Sequence, residues 1–227
     1  MIHANPGAPL DLQSADDRAA HAGRMSRDHL NGCAHSFGEV RALLRADLFR
    51  YAGRTGLVPA LHHFFFTPGF KYTVWLRWTG YLKRRKLTRY SLYPLFKLML
   101  LHCRYKYGIA IPENTVIGPG FFINRFGGIY IHNNAILGSN VNVTAGTLLG
   151  EVNRGSRAGA PIIGDRVFLG SGAKVIGRVW VGDDAAIGAN ALVTEDVPQG
   201  AVMASPRAVQ ISSKGSAAYI NRQAVLD

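Results

Sequence analysis

Between residues 163 and 198 an aliphatic side chain returns at every sixth position: Ile163, Leu169, Val175, Val181, Ile187 and Val193. The fifth place of each hexapeptide is always Val or Ala: Val167, Ala173, Val179, Ala185, Ala191 and Val197. Glycine follows the aliphatic residue at Gly164, Gly170, Gly182 and Gly188. An earlier block keeps the same period from Ile111 as IPENTV, IGPGFF and INRFGG. After a two-residue offset it resumes from Ile131 as IHNNAI, LGSNVN and VTAGTL. This is neither the helical period of about 3.6 nor the strand period of about two. It fits a flat triangular coil, in which three hexapeptides supply three short faces and three corners. The large aliphatic residues point inward and stack on their equivalents above and below. The small fifth residue suits a tight corner, and Gly, Asn and Asp supply turn conformations that β-branched residues disfavour. The segment Leu149–Pro161, LGEVNRGSRAGAP, breaks the register. It is predicted to be a loop thrown out of the coil, where insertions often carry binding function.

Upstream the pattern is helical. GEVRALLRADLFRYAG places Val40, Leu43, Leu44, Leu48 and Tyr51 on one face and Gly53 at a natural stop. A short apolar piece, Leu57 to Phe66, ends at Pro68 and Gly69. The strings FKYTVWLRWTGYLKRRKLTRY and SLYPLFKLMLLHCRYKY read as further helical pieces. The predicted fold is thus mainly β, a parallel β-helix of hexapeptide repeats preceded by an α-helical region. Its parts are a polar, mostly disordered tail (1–37), basic helices (38–107), the coil (108–207, with loop 149–161) and a C-terminal tail (208–227).

Charge sharpens this division. The chain of 227 residues carries net +12, and residues 38–107 alone hold fourteen basic and two acidic side chains. KRRK at 83–86, with Arg77, Arg89 and Lys97, lies among Trp75, Trp78, Tyr81, Tyr90 and Tyr93. A solvated helix face is one reading. Peripheral contact of residues 71–106 with an anionic membrane is the other. No nucleic-acid motif accompanies the charge, so nucleic acid is not an expected partner. Cys33 and Cys103 form neither a disulfide framework nor a metal spacing. No secretory pattern opens the chain, and no run reaches the roughly 18 apolar residues of a spanning helix. The expected location is cytoplasmic, at most peripheral to the inner membrane.

Several strings resemble the serine acetyltransferase-like hexapeptide acyltransferases. They are RADLFRYAGRTG, TPGFKYTVWLRWTGYL, YKYGIAIPENTVIGPGFFI, RFGGIYI, NRGSRAGAPIIGDRVFLGSGAKVIG, IGANALVTEDVP and ISSKGS. Within that group the polysaccharide-biosynthesis O-acetyltransferases of the colanic acid type look most similar. The resemblance implies a left-handed coil, a homotrimer and acetyl-CoA as co-substrate, bound in a groove between neighbouring coils, with no metal. A histidine base would activate a hydroxyl acceptor while backbone N–H groups steady the oxyanion. It also implies binding of co-substrate or acceptor at Arg154, Gly170, Ala189, Arg207 and Lys214.

At the family's histidine the aligned string reads Asn124-Arg125-Phe126-Gly127-Gly128, with Arg125 in the histidine's place. Arginine has no acceptor atom and is not a conventional base. A second family histidine, before the proline of the loop, corresponds to Ala160. The polysaccharide branch's Gln or His corresponds to Ala145. Near the C-terminus the family's Gly-x-Pro-Ala-Lys/Arg appears as Ala204-Ser205-Pro206-Arg207-Ala208. Candidate catalytic residues are therefore Arg125, Asn124, His132 and Glu151. His132 is the one histidine of the coil, too few for the three-histidine zinc site of the γ-type carbonic anhydrases, which share this coil. Three functions follow: an O-acyltransferase acting on a sugar in polysaccharide assembly, with a relocated or lost base; an inactive relative that binds acyl-CoA or glycan or serves as a scaffold; and a serine O-acetyltransferase.

Overall fold

The structure is a computed structural model that describes residues 34–213 and Ser216. The disordered tail expected over 1–37 lies outside the described residues as far as Cys33, and most of the C-terminal tail lies outside them too. Among the described residues, five helices come first. Helix α1 spans Phe37–Ala52. Its N-cap Ser36 accepts the Glu39 amide at 3.1 Å, and the Glu39 carboxylate accepts the His35 amide at 2.7 Å, a reciprocal cap. Gly53, at φ 65°, ends it. Then follow α2 (Leu57–Phe66), α3 (Pro68–Arg84), the single turn α4 (Lys86–Arg89) and α5 (Leu92–Tyr107). Pro68 opens α3, where its missing N–H costs nothing. α3 is the central helix, with α1, α2 and α5 packed around it.

The rest is a left-handed parallel β-helix, as the hexapeptide period and the resemblance predict. Its first coil holds β1 (Ile109–Ala110), β2 (Val116–Ile117) and β3 (Phe122–Ile123). The second holds β4 (Ile129–Ile131), β5 (Ile136–Leu137) and β6 (Asn142–Val143). The third holds β7 (Leu148–Gly150), β8 (Ile162–Ile163) and β9 (Phe168–Leu169), the fourth β10 (Lys174–Ile176), β11 (Trp180–Val181) and β12 (Ala186–Ile187). β13 (Leu192–Val193) and β14 (Val202–Met203) close the stack. Equivalent strands pair in parallel and build three faces: β1-β4-β7-β10-β13, then β2-β5-β8-β11, then β3-β6-β9-β12-β14. Ile117, Leu137, Ile163 and Val181 stack inside the second face, and Ile123, Val143, Leu169 and Ile187 inside the third, all buried. Asn140, Asp184 and Asn190 take positive φ at corners, the conformation for which short polar residues are favoured, and Arg166 shares it with its guanidinium held by Asp184.

The helices seal the open end of the first coil, whose strands would otherwise leave backbone groups unpaired. The Tyr72 hydroxyl donates to the Ile111 carbonyl and accepts the Ile111 amide, both at 3.0 Å. Tyr51 does the same at Ile123, at 3.3 and 2.9 Å. Asp47 accepts the Phe121 amide at 2.8 Å. Arg77, expected with the surface cations, is fully buried instead. It pairs with Asp47 and donates to the Ile117 and Gly118 carbonyls at 2.6 and 2.8 Å. Burial pushes the Asp47 carboxyl up, opposed by the Arg77 guanidinium and the Phe121 amide. Burial also pushes both tyrosine hydroxyls up, so they keep the protons that they donate.

Candidate active site

The expected site residues fall on two different edges of the triangular prism. Asn124 and Arg125 follow β3 and stand exposed where the third face turns into the first. Ala145, Gly170 and Ala189 occupy that same edge in the second, third and fourth coils. Amide-to-carbonyl bonds tie the edge together along its length: Gly146 to Gly127 at 2.8 Å, Gly172 to Ala145 at 2.8 Å and Asn190 to Ser171 at 2.9 Å. Gly170 is glycine for a steric reason, because a Cβ there would stand 2.9 Å from the Ile187 carbonyl oxygen and 3.0 Å from the Ala189 nitrogen. The column continues into the tail, where the Ser205 hydroxyl donates to the Ala189 carbonyl at 3.0 Å and exposed Arg207 follows. Lys214 lies outside the described residues.

The two-residue offset belongs to this edge. Ile109 pairs with Ile129 across a coil two residues longer than three hexapeptides. The excess is spent in the corner after Ile123, and Arg125 and Phe126 protrude there. Phe126 packs edge-on against Tyr107, with ring centroids 5.6 Å apart.

The next edge, where the first face turns into the second, holds the other candidates. His132 follows β4 and Glu151 follows β7, its neighbour in the same sheet. His132 Nε2 lies 3.1 Å from Glu151 Oε2. Nδ1 accepts the Asn134 amide at 3.3 Å, so Nε2 carries the ring proton and donates it to Glu151. The Asn134 side-chain amide donates to both Glu151 oxygens, at 3.2 and 3.3 Å. The His132 and Glu151 side chains keep 27% and 24% of their surface, so a substrate can reach them. The sequence nominated His132 and Glu151 separately. It missed Asn134, whose residue type reads first as a corner former.

The expelled loop begins at Glu151, later than the sequence suggests, because Leu149 is a fully buried member of the stack. Val152 and Gly159 exchange backbone bonds of 3.0 and 2.8 Å and fold the loop into a small hairpin. Arg154 is exposed near its tip. Arg157 fixes its base by pairing with Asp196 at 3.2 Å and accepting the Arg178 amide at 2.9 Å on its carbonyl. Among the described residues, no three His, Cys, Asp or Glu side chains form a group able to hold a metal.

Comparison with known proteins adds an independent line. Residues 160–195 match the family described as bacterial transferase hexapeptide (six repeats). The chain is 38% identical over 109 residues to a serine acetyltransferase of Helicobacter pylori, covering 48% of this chain and 64% of that protein. It is 32% identical over 148 residues to one of Synechococcus elongatus, covering 65% of this chain and 57% of that protein. Among solved structures it resembles serine acetyltransferase isoform 3 of Entamoeba histolytica in complex with cysteine, with TM-score 0.62 and 27% identity over 78% of this chain and 62% of that chain. The soybean apoenzyme gives TM-score 0.60 and 26% identity, covering 74% and 67%. The chain thus spans less than two thirds of the length of the relatives it matches in sequence. These relatives correct the expected acceptor. They are named for serine, not for a polysaccharide, and the sugar-directed reading is withdrawn. In sequence and in fold the chain is similar to serine acetyltransferases, and residues 160–195 carry the hexapeptide repeat of bacterial transferases.

Proposed function

We propose that the protein transfers the acetyl group of acetyl-CoA to the hydroxyl of serine or a closely similar small acceptor, with His132 as base and Glu151 as its orienting partner. The observation that carries this reading is the 3.1 Å contact between His132 Nε2 and Glu151 Oε2 on an accessible coil edge. In this scheme the acceptor hydroxyl replaces the Asn134 amide at Nδ1. As its oxygen attacks the thioester carbonyl, Nδ1 takes the proton. Glu151 holds the imidazolium that forms, as the carboxylate does in a Ser-His-Asp site. The C–S bond then breaks, and the departing sulfur takes the proton from Nδ1 to leave as CoA thiol.

Arg125 and the Gly170–Ala189 column stand on the other edge of the first face, so one prism does not bring both groups together. A homotrimer would set one prism's His132 edge against its neighbour's Arg125 edge, with acetyl-CoA between them. Arg125, Arg154 and Arg207 are then proposed to meet its phosphates, for which the guanidinium fork is suited.

The test is release of CoA thiol from acetyl-CoA in the presence of L-serine, beside calorimetric titration with acetyl-CoA alone. His132→Ala and Glu151→Gln are each expected to lower kcat by about 10²–10⁴-fold while acetyl-CoA binding persists. Unchanged turnover in both variants would remove the base assignment. Binding of acetyl-CoA with no thiol release on any hydroxyl acceptor would replace the enzyme with an acyl-CoA-binding relative.

A further inference from the structure

One of the two readings of the basic stretch 71–106 makes it a membrane-facing surface, and the packing narrows that stretch sharply. Trp75 packs on Phe96 and Phe64, Trp78 on Tyr81 and Phe37, and Arg77 is buried in the coil cap. Lys83 and Lys97 are both held by Glu113, at 3.0 and 2.6 Å. What stays outside is α4 and one side of α5. Leu87 is 88% exposed, Tyr90 85% and Leu98 59%. Leu95, Leu98, His102 and Tyr105 follow at steps of three and four along the exposed side of α5, opposite buried Leu100 and Cys103. Arg84, Arg85, Lys86 and Arg89 stand exposed beside Leu87 and Tyr90. No carboxylate of the described residues pairs with Lys86 or Arg89. The sequence has no Asp or Glu between Asp47 and Glu113.

We propose that α4 and the outer side of α5 dock the protein on an anionic lipid surface. An apolar strip bordered by exposed cations is what the interfacial region of a bilayer accepts: the leucines and tyrosines enter the headgroup boundary and the cations meet lipid phosphates. A second copy of the chain fits this surface poorly, because it would bring two basic patches face to face. A nucleic acid would meet the charges but leave the leucines without an apolar partner. The proposal does not depend on the transfer reaction, since none of these residues belongs to the coil edges.

The test is co-sedimentation of the full-length protein with two kinds of vesicle at low salt: phosphatidylcholine alone, and phosphatidylcholine mixed with phosphatidylglycerol. Binding is expected to the mixed vesicles only, and to weaken as salt shortens the screening length. Lys86→Gln with Arg89→Gln should weaken it about 30-fold. Leu95→Ser with Leu98→Ser should weaken it while the melting temperature and acetyl-CoA binding stay unchanged. Failure to bind mixed vesicles at low salt overturns the proposal, as does equal binding to neutral vesicles. Two further results would overturn it in favour of another occupant. A duplex DNA retained where vesicles are not would assign the patch to nucleic acid. A smaller sedimenting species in the Leu95→Ser, Leu98→Ser variant, with vesicle binding intact, would assign it to a second copy.

Discussion

Asn134 is held to Glu151 by one amide group that donates to both carboxylate oxygens, and Glu151 in turn fixes the imidazole of His132. Asn134→Ala removes that clamp without touching base or carboxylate. In the proposed reaction kcat should fall about tenfold with KM little changed. A merely structural role would lower the melting temperature and leave kcat at the parent value. The grouping of His132 with Glu151 was latent in the repeat. Ile131 pairs with Leu149, which sets His132 against Gly150 and leaves Glu151 one residue further on. Residue types alone hid it, since a lone histidine and a loop carboxylate carry no spacing signal, and Asn134 looks like any corner asparagine. The buried pair Asp47–Arg77 was hidden for a related reason. Each residue reads as a surface charge on an amphipathic helix, and only the docking of α1 and α3 on the coil buries both. Asp47→Ala leaves the Arg77 charge buried without its partner and should cost about 3–5 kcal/mol, read as a fall in denaturant midpoint.

At the scale of elements, the helices and the coil were both legible from period alone, because each is a local repeat. How they join was not. The bonds at the join link residues 39 to 74 positions apart, and no local pattern encodes such a pairing. Tyr72 stands in for a missing strand, supplying donor and acceptor to Ile111 through one hydroxyl. Tyr72→Phe keeps the ring and strands both backbone groups in a dry site. A loss of about 1–3 kcal/mol is expected in chemical unfolding. Gly69 sets the distance of approach at the same join, since a Cβ there would lie 2.6 Å from the Ile123 carbonyl oxygen and 2.9 Å from the Tyr51 hydroxyl. Gly69→Ala should therefore destabilise the fold, although the same change in a free helix would strengthen it.

Taken as one molecule, helices and coil are further tied by Glu113 on the first coil. It accepts from Lys83 of α3 and from Lys97 and Tyr93 of α5. Burial alone would raise its titration. The bonds from Lys97, a backbone amide and Lys83 together outweigh burial and hold the carboxyl at about 2, against an ordinary 4.5. A folded-state value below the unfolded one adds stability above about pH 4.5, and this is lost as the pH falls toward 2. The difference corresponds to about 3 kcal/mol. Glu113→Gln should therefore melt well below the parent protein at pH 7, and the gap should close as the pH approaches 2.

The sealed first coil also gives the stack a direction. A solenoid can begin ordering at any repeat and spread to its neighbours. Here one end meets a helical surface that offers the missing backbone partners at Ile111, Phe121 and Ile123. The ribosome delivers that surface first, because the helices precede the coil in the chain. The first coil thus emerges onto a waiting template, and each later coil onto the one before it. Growth runs away from the helices like courses of brick laid on a footing, and the footing keeps a stranger's strand from starting a course of its own.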